Sequence, residues 1–215
     1  MNDWTNLGEA VRLGGWVVYP LTLLAIGALA ITLDRAYAFW RFAHVPSGVS
    51  EALEHAGGDD GDRLAAGLLE RLPPQHALCR IGRLLDDRSA PLWRLEAKAE
   101  AAAARIEREM SRGLWLLETI VTAAPLLGLL GTIVGMMHSF KLIGGDGPVN
   151  PSGVTGGVAQ ALVATAIGLV IALVALFAFN FFARRVDRLM DELESFANVL
   201  IADVRAAHEA RSVRS

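Results

Sequence analysis

Charge is missing from three long stretches of this chain, and that absence excludes more than any motif includes. The runs Leu13–Leu33, Thr119–Phe140 and Val154–Phe182 contain no Asp, Glu, Lys or Arg. Each is long enough to span about 30 Å of hydrocarbon at 1.5 Å per residue. Cysteine is almost absent too. Cys79 stands alone, so no internal disulfide frames the fold, and it reads as a small buried apolar residue. A net charge of −3 over 215 residues lacks the basic footprint of a nucleic-acid binder. The HExxH, CxxC, GxSxG and GxxxxGK[ST] patterns are all missing. The expectation is therefore a protein that is not an enzyme, with no cofactor, no metal site and no nucleic-acid partner. The glycine-flanked Asp146 of Gly144–Gly147 reads as a turn.

What is present is apolar sequence interleaved with charge. The chain is 53% hydrophobic and 20% charged, with a mean hydropathy of +0.38, which fits a membrane protein carrying sizeable aqueous segments. Arginine marks one side of every run: Arg35 and Arg41 after the first, Arg105, Arg108 and Arg112 before the second, Arg184, Arg185 and Arg188 after the third. Opposite them stand only Arg12 and Lys141. The positive-inside rule then puts the N-terminus outside and the C-terminus in the cytoplasm. The first run is not a cleaved signal, because its leader carries Asp3 and Glu9 and its apolar core is too long.

This predicts an all-α membrane protein with three transmembrane helices and long cytoplasmic helical extensions. Residues 1–12 form an outer leader, 13–40 the first span, 41–112 a cytoplasmic helical region and 113–143 the second span. A hairpin at 144–153, a third span at 154–183 and a cytoplasmic C-terminal helix at 184–215 complete it. Within the cytoplasmic region, short helices are expected near Glu51–His55, Arg63–Leu72 and Leu78–Leu85. Pro91 suits a first helical turn, with Ser89 as a cap. From Leu92 the Ala/Glu/Arg-rich sequence has high helix propensity, although Glu96 and Glu100 repel one turn apart. Continuity with the second span would make one helix of about 50 residues, roughly 75 Å long, kinked at Pro125. After the third span, Val186, Leu189, Met190, Leu193, Phe196, Ala197 and Leu200 keep helical spacing, so that helix should run on.

Two stripes carry the functional signal. Pro125, Gly128, Thr132, Gly135 and Ser139 step by three and four through the second span, and Gly131-Thr-Ile-Val-Gly135 is a GxxxG. Val158, Ala161, Thr165, Gly168 and Ala172 do the same through the third. Lipid rewards neither hydroxyls nor missing side chains, so such stripes face other helices or a wet pore. Each hydroxyl has two readings: a pore lining, or a bond to its own backbone within a packing face. Gln160 exchanges hydrogen bonds without ionising, and His138 reads as an interfacial hydrogen-bonder or a proton shuttle. Glu118 lies fourteen residues before Thr132 and so shares its phase, about 21 Å toward the cytoplasm. It is either an inner-interface carboxylate paired with an arginine or a proton acceptor. Threonine does not ionise usefully, so a proton path through this chain needs a carboxylate from another polypeptide.

The stretches APLLGLLGTIVGMMHSF and AQALVATAIGLVIALVALFAFNFFAR resemble the two core helices of the MotA/TolQ/ExbB proton-channel family. The three-span layout points to its ExbB/TolQ branch, and Asp34-Arg35, just inside the first span, is similar to that branch's acidic-Arg pair. The resemblance implies a homopentamer in the bacterial inner membrane, surrounding a dimer of single-span ExbD/TolR-like partners that supply a membrane aspartate. A TonB- or TolA-like transducer would receive the work. The family's pore threonines fall on Thr132 and Thr165. Where many relatives carry glutamate in this motif, this chain has Gln160, which removes a proton-binding site near the outer part of the path. A non-conducting scaffold, or a channel for another ion such as sodium, are the competing readings. ExbB and TolQ, and the process energised (import, constriction or motility), are not separated by these residues.

Overall fold

A computed structural model describes residues 16–42, 74, 76–85, 90–143 and 151–212. Its described residues form five helices and no strand: α1 Val18–Phe42, α2 Ala77–Leu85, α3 Leu92–Met110, α4 Leu114–Ile143 and α5 Pro151–Ser212. Three helical stretches, beginning at Val18, Leu92 and Gly153, are long and apolar enough to cross a membrane. Only 22% of each one's most apolar window is buried within the chain, so most of that apolar surface is left uncovered by the chain itself. The expected helices at Glu51–His55 and Arg63–Leu72, Ser89 and residues 144–150 lie outside the described residues.

The helices gather into two compact units, 1–33 with 113–181, and 34–112 with 182–215. In the first unit the buried side chains are Val17, Val18, Leu21 and Ala28 from the α1 region, Leu117, Ile120 and Ala124 from α4, and Ala161, Ala164, Ala172 and Ala175 from α5. The α4 contribution shrinks from leucine and isoleucine to alanine and that of α5 is alanine throughout, which lets two backbones approach. In the second unit Leu78 and Ile81 of α2, Leu95 and Ile106 of α3, and Leu189, Leu193 and Phe196 of α5 are at most 3% exposed. Phe39 stacks on Phe182 with ring centroids 5.8 Å apart, and Arg205 on α5 donates to Glu96 on α3 at 3.2 Å.

Two local expectations change. The condition for one helix from Leu92 through the second span is not fully met: α3 ends at Met110, and α4 starts at Leu114. Gly113 adopts φ = +83°, the left-handed conformation that glycine enters without a Cβ penalty. Its carbonyl then accepts from the amides of Leu116 and Leu117 and opens α4. Pro91 sits at the N-cap of α3 itself rather than within its first turn, its carbonyl accepting from Arg94 and Leu95. Pro125 lies inside α4, which continues past it without the amide that would have bonded Val121. As expected for α5, the helix runs unbroken from the apolar third run to Ser212, burying Val186, Leu189, Leu193, Phe196 and Ala197.

Candidate functional site

In the first unit α4 and α5 meet along glycine and alanine. A methyl group built on Gly131 would lie 2.7 Å from the Ala164 Cβ, and one on Gly135 would lie 2.8 Å from the Ala161 Cβ. One on Gly128 would lie 2.9 Å from the Thr165 Cα, and one on Gly168 only 2.5 Å from the Ala124 carbonyl oxygen. These distances are shorter than carbon atoms tolerate, so the two backbones touch where side chains are missing. The packed face of α4 is Ala124, Gly128, Gly131, Gly135 and Ser139. It shares Gly128, Gly135 and Ser139 with the stripe counted from Pro125 and differs at two places, where Ala124 and Gly131 enter the contact beside Pro125 and Thr132. Ser139 is buried and donates to the Gly135 carbonyl at 3.0 Å.

The two threonines differ. The Thr132 hydroxyl donates to its own helix, to the Leu129 carbonyl at 2.7 Å. The Thr165 hydroxyl crosses between helices and donates to the Gly128 carbonyl at 2.8 Å. Gly128 lies one turn before Thr132, so Thr165 is brought to within about a turn of the second hydroxyl. Pro125 and Thr132 are half-buried at the edge of the packed face, while Glu118, on the same phase, is exposed. Gln160 is half-buried beside Ala161 and makes no side-chain hydrogen bond to any other described residue. His138 is exposed. The structure thus brings Thr165 onto Gly128, leaves Glu118 exposed and Gln160 half-buried, and does not gather these three with Thr132 into one cluster. No group of three or more His, Cys, Asp or Glu side chains among the described residues is arranged to hold a metal.

The second unit holds a cationic cluster around Arg35. This residue is 7% exposed, and its Nε and Nη2 donate to Asp34 at 3.1 and 2.5 Å. Its Nη1 donates to the carbonyls of Glu109 at 2.8 Å and Met110 at 3.2 Å. The last carbonyls of a helix have no intrahelical partner, so Arg35 closes the C-terminus of α3, while Ser111 N–H bonds Glu107. Arg80 reaches the Glu109 carboxylate with both terminal nitrogens, at 2.6 and 3.3 Å, and Arg105 adds a third contact at 3.1 Å. The Arg80 hydrogen bonds, helped by Arg105 and opposed by partial burial, hold the Glu109 carboxyl below its ordinary range. Further along, burial pushes the Glu192 carboxyl up against the opposing pull of Arg185 and Arg188. Burial likewise pushes the Cys79 thiol up, with Arg83 opposing, which leaves it a poor nucleophile.

The Asp34-Arg35 pair was visible in sequence, but Arg80, Arg105 and Glu109 as its surroundings were not. The only available signal was an arginine following an apolar run, and topology already accounted for that.

Comparison with known proteins agrees with this architecture. Residues 63–195 match the model of the MotA/TolQ/ExbB proton channel family. The chain is 37% identical over 112 residues to the biopolymer transport protein ExbB of Aquifex aeolicus, covering 52% of this chain and 72% of the relative. It is 33% identical over 175 residues to the putative biopolymer transport protein ExbB-like 3 of Synechocystis, covering 79% and 81%. It is also 32% identical over 173 residues to the biopolymer transport protein ExbB of Salmonella typhimurium, covering 78% and 70%. With a matched segment that spans the charged helix α3, both small-residue core stretches and the start of the C-terminal extension, the chain belongs to the MotA/TolQ/ExbB proton channel family, on its ExbB side.

Proposed function

We propose that this chain is the pore-forming subunit of an inner-membrane motor driven by the proton motive force, and that it performs no covalent catalysis. The supporting observation is the pairing of two facts. α4 and α5 press together so closely that a Thr165 hydroxyl bonds a backbone carbonyl of the other helix. Yet neither apolar run carries an acid or a base in its centre. The titrating group then belongs to a partner, read from the family as an ExbD/TolR-like single-span dimer with a membrane aspartate. Five copies of this chain, N-terminus outside and C-terminus in the cytoplasm, would surround it. The exposed apolar faces of α4 and α5, with Leu126, Ile133, Leu162 and Leu173 among them, are the surfaces such a ring and its lipid would cover.

Each proton moving inward releases about 2.3 kcal/mol per 100 mV. Alternate protonation and release of the partner's aspartate would couple that to motion of the partner and work on a TonB-like transducer, as in biopolymer import. Thr132 and Thr165 line the route near the aspartate, with Gln160 toward the outside and Glu118 toward the cytoplasm.

The test is energised uptake in cells carrying Thr132→Val and Thr165→Val together, with assembly followed in parallel. Lost uptake with intact assembly is expected. Normal uptake would favour a packing scaffold, and currents carried by sodium but not by protons in the purified complex would overturn the choice of ion.

A further inference from the structure

A cleft of about 600 Å³ in the second unit is lined by Arg35, Arg80, Arg105 and Arg112, with Glu109 the one acid on its wall. With Asp34 included, four guanidinium groups meet two carboxylates, a surplus of two positive charges. Arg35 is fixed and nine-tenths buried, with its donors engaged by Asp34 and two backbone carbonyls. It contributes charge rather than new bonds. Arg80 and Arg105 share Glu109, and neither uses all five of its N–H donors there. Arg112 is exposed and pairs with no described residue. Ala38, Ile106 and Met110 give the same cleft an apolar wall.

An anion with several acceptor oxygens fits this arrangement, because guanidinium forks match phosphate geometry better than a lone ammonium does. The place in the chain narrows the choice. Arg35 follows the end of the first apolar run by two residues, and Arg112 stands two residues before the start of α4 and seven before the second run. Those positions lie at the level of lipid headgroups on the arginine-rich side of the membrane, where basic pockets between helices bind anionic headgroups. We propose that this cleft binds the phosphodiester of an anionic phospholipid, with Arg105 and Arg112 as the donors open to it and the apolar wall meeting the glycerol and first methylenes. The inference requires only that the chain resides in a membrane. It does not depend on proton conduction or on any partner.

The test uses the full chain, purified in detergent and stripped of lipid, titrated with short-chain phosphatidylglycerol, short-chain phosphatidylcholine and inorganic phosphate. Saturable binding of phosphatidylglycerol alone is expected. Each arginine near an anionic headgroup is worth about 1 kcal/mol, so Arg105→Gln with Arg112→Gln should weaken it by about 25-fold, and Arg112→Gln alone by about five-fold. Arg94→Gln, an exposed arginine of α3 outside the cleft, should leave it unchanged. The single Arg112 variant loses no bond to a described residue, so it decides the matter even if the double variant unfolds. Equal binding of the two lipids, or undiminished binding by a folded Arg112 variant, overturns the proposal. Binding of inorganic phosphate as tight as that of phosphatidylglycerol overturns the lipid assignment.

Discussion

Placing a methyl group on Gly168 should damage the α4–α5 contact more than removing the hydrogen bond beside it. An added Cβ would stand 2.5 Å from the Ala124 carbonyl oxygen and 3.2 Å from the Gly128 Cα, where ordinary contact begins at 3.4 Å. Both obstacles are backbone, so no rotamer change relieves them, and the helices must separate by most of an ångström. Overpacking of that kind costs about 1–3 kcal/mol. Thr165→Val keeps shape and volume and deletes only the hydroxyl that donates to Gly128 at 2.8 Å. Interhelical bonds of this class average about 0.6 kcal/mol and reach about 1.7.

The two perturbations also interact. Residues 165 and 168 lie one turn apart, and moving the helices apart already lengthens the Thr165 bond. The double variant should therefore cost less than the two singles added, by about 0.5 kcal/mol or more. Reversible unfolding in mixed detergent micelles, followed by tryptophan fluorescence, measures all four corners of that cycle. The reasoning is refuted if Thr165→Val destabilises as much as Gly168→Ala, or if the two effects add without coupling.

Arg35→Met should destabilise the chain by about 2–3 kcal/mol in the same assay, because it strips a charged donor from the Glu109 and Met110 carbonyls and from Asp34. Phe196→Ala, at a position fully buried in the second unit, should cost about 3–5 kcal/mol. Glu109 has a depressed carboxyl, so the stability it adds is complete above its ordinary value of 4.5 and is lost as pH falls through its lower folded value. Glu109→Gln should accordingly be destabilising at neutral pH and equal to the parent in strong acid. Glu192 runs the other way: its raised carboxyl means that ionisation opposes folding, so Glu192→Gln should stabilise at neutral pH, and the gain should shrink as pH falls below its folded value and vanish below the ordinary value of 4.5. In the energised complex, Glu118→Gln should shift the pH dependence of uptake and Gln160→Glu should be tolerated. An unshifted profile in the first removes Glu118 from the route, and a dead second variant shows a pore rebuilt around the amide.

Local signals carried far in this chain. The uncharged runs announce helices long enough to span a bilayer, and the spacing from Val186 to Ala197 announces the face that α5 buries after its apolar half. The break at Gly113 is not legible locally, because a single glycine inside a helix-forming sequence costs only about 1 kcal/mol, too little to stop a helix without help. The help comes from Arg35, which ties off the end of α3 from about 75 positions earlier in sequence. No window of local sequence displays such a bond. The phase of the α4 contact shows the same limit. Two adjacent residues compete there, Thr132 on the three-and-four stripe and Gly131 in the GxxxG, and only contact geometry, with Gly131 opposite Ala164, separates them. Of the partners of the Glu109 carboxylate, Arg105 stands one helical turn away in local sequence, while Arg80, 29 positions away, is hidden for a similar reason.

The orientation of the two threonine hydroxyls has a chemical consequence. Each has already handed its hydrogen to a carbonyl, Leu129 for one and Gly128 for the other. What remains on each oxygen is a pair of unshared electron pairs, so a visitor meets acceptors only. A hydronium ion, a sodium ion or a carboxylic acid in its neutral form can satisfy them, whereas a bare carboxylate or chloride is repelled. If these two hydroxyls line the proposed pore, that pore would discriminate by the sign of its traffic before any titrating group enters it.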